Sequence, residues 1–343
     1  MPRAHRILVI GGNGFIGRNL VDLLIETGYA VTIAGRSGAR YGQGRVRSSV
    51  VDVADPESVD AAVGAADVVY DLAMGGGDRW SDFERDFITG TRNVAEACLR
   101  HRVQRLIYTS SIAALYLGAR GMVNEAAGTD SRPRSRAMYS RAKIEAERVL
   151  MEFRRNHGLP VVIVRPGVVV GVDGIMNHSG VGYWPADLCC IGWNRGNNPL
   201  PFVLVKDVAQ ALFSALDSPG IDGMELNLVG DVRPSAREYV ARLAEAARRN
   251  YRYYPQMPWK LQMVEIGKWL LKTVARKPEN SFPSYRDLKS RGLVSRIDCS
   301  AAKRYLNWTP NSDTEAFYRE AVQANLRPFM EGDLRQAPAG ICA

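Results

Sequence analysis

The chain has 343 residues, of which 46% are hydrophobic and 24% are charged, and its net charge is +9 at pH 7. This composition excludes a disordered chain and is ordinary for one large or two unequal globular domains. The basic charge favours an anionic ligand or an anionic membrane surface. We do not expect nucleic acid as a partner, because the sequence has neither a zinc-ligand spacing nor a long Lys/Arg run.

Cysteine usage and the N-terminal sequence indicate the compartment. The five cysteines are odd in number and form no C-x-x-C pair, which is typical of a reducing compartment. The first six residues lead directly into an apolar strand, so a signal peptide is not expected. No apolar run reaches the ~18 residues of a spanning helix. The sequence therefore predicts a cytoplasmic protein without a metal site.

A glycine-rich turn follows the first apolar strand, residues 7–10, and precedes an amphipathic helix. Its glycines are spaced as Gly12-x-Gly14-x-x-Gly17 or as Gly11-x-x-Gly14-x-x-Gly17. A helix N-terminus behind such a turn attracts a pyrophosphate, and glycine lets the backbone approach it closely. The predicted cofactor contacts here are Gly11, Asn13, Gly14, Phe15, Ile16 and Gly17.

The end of the second predicted strand, residues 30–34, bears on the choice of dinucleotide. An NAD site usually has an acidic residue at this point, but Gly35 and Arg36 stand here, with Arg40 nearby. A guanidinium can bind a 2′-phosphate through two hydrogen bonds. The sequence therefore favours NADP(H), with NAD(H) as the alternative, unless Arg36 is an ordinary solvated loop residue.

Strands and helices alternate through the first half of the chain. The predicted strands are 50–53, 67–73, 106–109 and 161–164, and the predicted helices are 56–63, 86–102 and 138–153. This alternation predicts an α/β fold with a doubly wound parallel sheet of the Rossmann type. Further cofactor contacts are expected at strand ends, namely Asp52, Val53, Ala73 and Pro166. Asp52 either binds the adenine amine or only caps the following helix.

Tyr139 and Lys143 lie one turn apart on a predicted helix. A tyrosine has an ordinary pKa near ~10, which is too high for a base at neutral pH, and a neighbouring cation would lower it. Ser111, at the end of the preceding strand, can orient a substrate oxygen, with Ser110 and Thr109 as alternatives. Ser111, Tyr139 and Lys143 are the predicted catalytic residues, and Tyr139 and Lys143 are also predicted to contact the cofactor.

The second half of the chain lacks this regular alternation. Residues 171–202 show no clear period, and helices are predicted over 235–249, 259–277, 300–306 and 314–325. The predicted dinucleotide-binding domain comprises 1–172 and 203–230, the smaller substrate domain 173–202 and 231–330, and the tail 331–343. By elimination, the substrate-binding candidates are His178, Trp184, Trp193 and Arg195. The alternative is a structural loop with buried tryptophans.

The predicted helix 259–277 combines apolar residues with Lys260, Lys268 and Lys272. It is too charged and too short in apolar length to span a bilayer. It either packs on the substrate domain with solvated lysines or makes weak peripheral contact with a membrane.

These motifs together resemble the extended short-chain dehydrogenase/reductases of the NAD-dependent epimerase/dehydratase superfamily. The matching stretches are GGNGFIG at 11–17, GTRNVAEA at 90–97, RLIYTSSIAALY at 105–116, YSRAK at 139–143, VRPGVVVG at 164–171, FVLVKDVAQAL at 202–212 and AKRYLNWTP at 302–310. The resemblance implies Ser111, Tyr139 and Lys143 as the catalytic set, with Lys143 also holding the nicotinamide ribose. YTSSIAALY also resembles the 3β-hydroxysteroid dehydrogenase branch.

The resemblance implies hydride transfer at a carbinol or ketone carbon of a small-molecule substrate. The first expectation is a sugar-nucleotide epimerase, dehydratase or reductase. The second is a reductase or dehydrogenase of an apolar alcohol or ketone, and the third is a non-catalytic NADP-sensing protein. We expect the protein to be a homodimer.

Overall fold

The computed structural model describes residues 5–40, 44–275 and 282–326. The strands are β1 Arg6–Ile10, β2 Ala30–Gly35, β3 Arg47–Val50, β4 Val68–Asp71, β5 Arg105–Thr109, β6 Met122–Val123, β7 Val161–Pro166, β8 Val168–Val170, β9 Gly182–Ala186, β10 Cys189–Gly192, β11 Phe202–Leu204, β12 Glu225–Leu228, β13 Arg252–Tyr254 and β14 Arg296–Ile297. The α-helices are α1 Phe15–Glu26, α2 Pro56–Val63, α3 Trp80–Phe83, α4 Gly90–Arg100, α5 Met138–His157, α6 Val205–Ser214, α7 Ala236–Ala247, α8 Pro258–Val274, α9 Tyr285–Arg291, α10 Ser300–Tyr305 and α11 Thr314–Tyr318.

A seven-stranded parallel sheet forms the centre of the protein, in the order β12-β7-β5-β4-β1-β2-β3. β1 lies between β2 and β4, with Ile7 opposite Val31 on one side and opposite Val68 on the other. The chain order reverses between β1 and β4, which is where a doubly wound sheet opens a crevice for ligands. The predicted Rossmann-type α/β fold is confirmed.

Helices cover both faces of this sheet, because successive side chains of a strand point to opposite faces. Ile7 and Val9 of β1 belong to the buried cluster that includes residues of α1 and α6. Leu8 and Ile10 belong to a second buried cluster that includes residues of α2, α4 and α5. The apolar run of β1 therefore supplies both cores.

Several predicted element bounds were wrong for identifiable reasons. The third strand is Arg47–Val50 rather than 50–53, and as the edge strand of the sheet it needs few apolar residues. The predicted helix 86–102 begins as a π-helical turn, Glu84–Thr89, before α4. The last predicted helix, 314–325, is present, but a π-helical turn, Arg319–Gln323, interrupts it.

The stretch 171–202 is more regular than the sequence indicated. β9 and β10 form an antiparallel hairpin, and β13 adds to it in parallel to make a three-stranded sheet. Gly182, Pro185 and Gly192 occur in this hairpin and interrupt the apolar alternation by which strands are recognised.

One cluster of buried side chains runs from β1 into the C-terminal half, where it includes Leu243 of α7 and Phe317 of α11. The division into two domains stays a prediction, and the predicted tail, 331–343, lies outside the described residues. Within the described ranges, no helix has both the length and the apolar character that crossing a bilayer requires.

Candidate active site

The segment that runs from β1 into the first turn of α1 has no room for side chains at two of its glycines. Gly11 has a φ of +80°, and a Cβ on Gly17 would lie 2.4 Å from the Gly11 carbonyl oxygen. Gly14 is the N-cap of α1. In the structure as described, no side chain caps the N-terminus of this helix, and its first turn holds no acidic residue. A close backbone and a positive helix end fit the pyrophosphate of a dinucleotide.

The side chains within this turn have structural partners. The Asn13 amide donates to the Gly38 carbonyl oxygen, and its oxygen accepts from the Arg40 N–H at 3.0 Å, which fixes the loop after β2 against the turn. The Phe15 ring lies so close to Gly174 that a Cβ there would be 2.9 Å from it. Ile16 packs on the core. Their backbone atoms remain the candidates for cofactor contact.

Arg36 follows β2 and is exposed, as the predicted contact to a 2′-phosphate requires. It has an acidic neighbour. Burial opposes ionisation of Asp86, yet a hydrogen bond from Arg85, another from the Gly76 N–H and the charge of Arg36 hold the pKa of that carboxyl below its ordinary value. The positive charge of Arg36 therefore acts on this nearby carboxyl, as it would on a cofactor phosphate.

The loop between β3 and α2 contains the predicted adenine-side contacts, Asp52 and Val53. Asp55, not Asp52, caps α2, so the capping alternative for Asp52 is wrong. The exposed Asp52 accepts from the Ala54 N–H at 3.0 Å. The Asn93 amide donates to the Val53 carbonyl oxygen at 2.9 Å, which holds this loop onto α4.

Ala73 follows β4 and Pro166 ends β7, both at the carboxyl edge of the sheet. The glycines after Ala73 approach protein rather than an open crevice. A Cβ on Gly75 would lie 2.2 Å from the Cβ of Asp86, and the Gly76 N–H donates to the Asp86 carboxylate at 3.1 Å. These glycines therefore let the chain pass closely over the π-helical turn.

Helix α5 places Tyr139 and Lys143 one turn apart, and Ser111 follows β5 at the same edge of the sheet. The Ser111 side chain lies near the Tyr139 phenol and lowers its pKa. The Ser111 oxygen also accepts from the Ala113 N–H at 3.1 Å, which fixes its orientation. The structure thus brings the three predicted catalytic residues into one cluster.

Ser110, the alternative to Ser111, has another partner. Its hydroxyl donates to the Glu147 carboxylate at 2.5 Å, and Glu147 forms a buried ion pair with Arg165 at 2.6 Å. Because the ion pair is buried, this serine is part of the core and is turned away from Tyr139. Ser111 is therefore the better choice.

Lys143 is almost completely buried, with 1% of its surface exposed. Its ammonium donates to the Thr109 carbonyl oxygen at 2.8 Å and to the Tyr108 hydroxyl at 3.3 Å. Burial lowers the pKa of Lys143 to about 8, while the nearby carboxylates of Asp71 and Glu147 oppose this effect. The lysine is therefore mostly charged at neutral pH, and it loses its proton as the pH rises through about 8.

Tyr139 has the opposite tendency. Burial raises the pKa of its phenol, and the neighbouring Ser111 side chain opposes that rise. The Phe87 ring lies edge-on to the phenol, with 6.0 Å between ring centroids. At neutral pH Tyr139 therefore carries its proton and can donate it to a substrate oxygen.

The four predicted substrate residues have different environments. Burial lowers the pKa of His178 to about 4, so this imidazole is neutral and does not attract anions. Trp184 donates to the His178 carbonyl oxygen at 3.1 Å, and Trp193 donates to that of Ser179 at 2.6 Å. These bonds favour the structural-loop interpretation for the tryptophans. Arg195 is exposed and is available to a ligand.

A buried charged network beside the catalytic cluster was missed from the sequence. The Arg136 guanidinium donates to the Leu115 carbonyl oxygen and the Asp130 carboxylate, each at 2.8 Å, and to the Asp287 carboxylate at 3.2 Å. Asp287 also accepts from the Ala137 N–H at 2.9 Å. The network ties the loop after β5 to the start of α5. No local pattern marks it, since its hydrogen-bonded partners lie up to 151 residues apart.

Residues 7–228 match the family model of the NAD dependent epimerase/dehydratase family. Among curated proteins, the chain is 30% identical over 226 residues to 3beta-hydroxysteroid-dehydrogenase/decarboxylase isoform 2 of Arabidopsis thaliana, covering 60% of this chain and 39% of that protein. It is 31% identical over 175 residues to 2-alkyl-3-oxoalkanoate reductase of Stenotrophomonas maltophilia (strain K279a), covering 48% and 51%. The chain thus spans about half, or less, of the length of these relatives.

Among solved structures, UDP-glucuronic acid 4-epimerase of Bacillus cereus, in complex with UDP-glucuronic acid and NAD, superposes with a TM-score of 0.71. The match covers 94% of this chain and 99% of that one at 18% identity, so the likeness is one of fold. The family match includes the glycine turn, the Ser111 strand end and α5. The chain therefore belongs to the NAD dependent epimerase/dehydratase family, within the extended short-chain dehydrogenase/reductases.

Proposed function

We propose that the protein is an NAD(P)-dependent oxidoreductase that transfers hydride at the carbinol or ketone carbon of an apolar alcohol or ketone. The observation that carries this proposal is the proximity of Ser111 to Tyr139, with Lys143 one turn further along α5. This cluster lies at the same carboxyl edge of the sheet as the glycine turn.

Each of the three side chains has a distinct task in ketone reduction. When bound, the nicotinamide supplies the hydride. Tyr139 donates its proton to the carbonyl oxygen, and Ser111 donates a hydrogen bond to the same oxygen and orients it. The Lys143 ammonium stabilises the phenolate that remains. In the oxidative direction Tyr139 accepts the proton instead.

Exposed apolar side chains that follow strands β4 and β8 or precede Tyr139 support an apolar substrate. Met74 follows β4, Met138 directly precedes Tyr139, and Val172 and Ile175 follow β8, all with much of their surface exposed. An apolar ligand over these residues would remove their surface from water. The two curated relatives, named for a hydroxysteroid and a 2-alkyl-3-oxoalkanoate, agree with this class.

A sugar nucleotide is the second candidate, and the exposed Arg195 favours it. A guanidinium next to β10 can pair with a diphosphate, and the net charge of +9 would attract such an anion. The Bacillus cereus neighbour is an epimerase of UDP-glucuronic acid. Arg195→Ala separates the two candidates: lost affinity for UDP- or GDP-sugars supports the second, and unchanged affinity removes the phosphate-binding role.

Nicotinamide absorbance tests the reaction directly. Purified protein is mixed with reduced or oxidised cofactor and with steroids, alkyl ketones, or UDP- and GDP-sugars. With the substrate that turns over, Tyr139→Phe should lower the rate by ~10²–10⁴ because general acid–base help is lost. Cofactor binding, followed by fluorescence, should survive. Wild-type turnover in Tyr139→Phe would contradict the proposed role.

We also propose that NADP(H) binds more tightly than NAD(H), because Arg36 stands where an acidic residue is expected. Arg36→Ala should weaken binding by about 1.5–3 kcal/mol, as for a charged hydrogen bond, and only toward the phosphorylated cofactor. Arg47→Ala, which removes an exposed arginine of β3, is the matched control. Equal losses for both cofactors, or a wild-type preference for NAD(H), would contradict this proposal.

The predicted homodimer and the cytoplasmic location remain proposals. Sedimentation equilibrium of the purified protein tests the first, and fractionation of the source cells tests the second.

A further inference from the structure

Helix α8, Pro258–Val274, has no buried residue, although most of its residues are apolar. It is held on one side only. The Gln262 amide donates to the Pro283 carbonyl oxygen at 2.8 Å, and the Trp269 ring lies edge-on to Phe282, with 5.3 Å between centroids. The helix packs beside α9 rather than into the core, so the prediction that it packs on the substrate domain accounts for one side alone.

The opposite side of α8 exposes an apolar stripe. Trp259, Met263, Leu270 and Val274 recur at helical spacing, with exposures of 54%, 62%, 51% and 82%. Leu271 widens the stripe and is 73% exposed. We call this set the α8 stripe. Contiguous exposed apolar surface of this kind usually marks a site that binds a partner or a membrane.

We propose that the α8 stripe docks on an anionic lipid membrane, with the helix lying in the plane of the interface. The charges beside the stripe fit this partner. Within α8, Lys268 forms an ion pair with Glu265 at 2.7 Å, while Lys260 and Lys272 have no acidic residue of the helix left to balance them. Lysines with long apolar stems reach lipid phosphates while the stem stays in the apolar layer.

Lys260 argues against a second protein copy as the occupant. At about 100° per residue, it projects between Val274 and Leu271, inside the stripe. The centre of a protein interface is depleted of lysine, because an ammonium buried there loses its water. At a membrane surface the same ammonium meets headgroup phosphates instead. The proposal does not depend on which substrate the enzyme uses.

Vesicle flotation of the full chain tests the proposal. Vesicles of phosphatidylcholine alone are compared with vesicles that also contain phosphatidylglycerol, at low and high salt. We expect binding to the anionic vesicles that weakens as salt rises, because salt screens the lysines. Leu271→Glu should lower the partition coefficient by roughly tenfold or more, since a buried leucine is lost. Lys260→Gln should lower it by about fivefold.

Met122→Glu is the matched control, because Met122 is similarly exposed, at 65% against 73% for Leu271, but lies on β6. It should float like the wild type, and all variants should keep the wild-type melting temperature. A wild-type protein that stays unbound with both vesicle types overturns the proposal. So does flotation that Leu271→Glu leaves unchanged. A dimer in sedimentation equilibrium that Leu271→Glu dissociates, without vesicle binding, assigns the stripe to a second copy and also overturns it.

Discussion

Replacing Lys143 by methionine should make the protein more stable at neutral pH. Burial lowers the pKa of this lysine from 10.5 to about 8. One pKa unit corresponds to ~1.36 kcal/mol, so keeping the ammonium charged costs the folded state about 3 kcal/mol. Methionine fills a similar volume without charge but loses the hydrogen bonds to Thr109 and Tyr108. We therefore expect a net gain of about 1–2 kcal/mol in the free energy of unfolding.

The pH dependence of stability isolates the charge from the packing. Between pH 8 and 10.5 the unfolded chain still holds the Lys143 proton that the folded protein has released. Lys143 therefore makes the wild-type free energy of unfolding increase as pH rises, by up to ~1.36 kcal/mol per pH unit. Lys143→Met lacks that gain, so its advantage at neutral pH should shrink toward pH 10. Urea denaturation from about pH 7 to about pH 10 measures the difference.

Lys206→Met is the matched control, because the side chain of Lys206 is 61% exposed. Its stability should run parallel to that of the wild type across this range. If Lys143→Met also runs parallel, the buried ammonium does not carry the cost, and a pKa near 8 for Lys143 must be rejected. If the stabilised variant also retains turnover, the lysine is not needed to stabilise the phenolate.

Two further predictions concern the cofactor turn and α6. Gly17→Ala should abolish dinucleotide binding, because its Cβ would lie 2.4 Å from backbone oxygen, whereas Gly267→Ala, which meets open space, should bind normally in a fluorescence titration. Asp207→Asn should raise the melting temperature at pH 7 but not at pH 4, because burial raises the pKa of Asp207 to about 6 and the folded state gains from its proton only at low pH. An equal shift at both pH values would mean that Asp207 acts through packing.

The features that the sequence predicted well are local ones. The glycine turn is fixed by residues within a few positions of one another, since Gly17 lies against the backbone of Gly11. Tyr139 and Lys143 share a face because a helix turn separates them by four residues. The parallel sheet follows from apolar runs such as β1, whose residues are buried on both faces.

What the sequence did not predict depends on backbone pairing or distant contacts. β3 is held by hydrogen bonds to β2, so its Arg47, Ser48 and Ser49 gave no apolar signal. The alternation of β9 and β10 is interrupted by glycines, and their third strand is some sixty residues away in the chain. The roles of Trp184 and Trp193 could not be read either, because the side chain of a tryptophan suits a ligand site and a loop anchor equally well.

The Arg136 network shows why a catalytic motif alone does not define a catalytic geometry. Ser111 reaches Tyr139 only if the loop after β5 and the start of α5 keep their relative position. Arg136, just before α5, donates to the Leu115 carbonyl oxygen in the loop after β5. Asp287 accepts from both the Arg136 guanidinium and the Ala137 N–H. Asp287 belongs to α9, in the C-terminal half, and Arg136 is buried between it and Asp130. Part of the geometry of the catalytic cluster is thus set by α9, a helix in which no sequence motif points to catalysis.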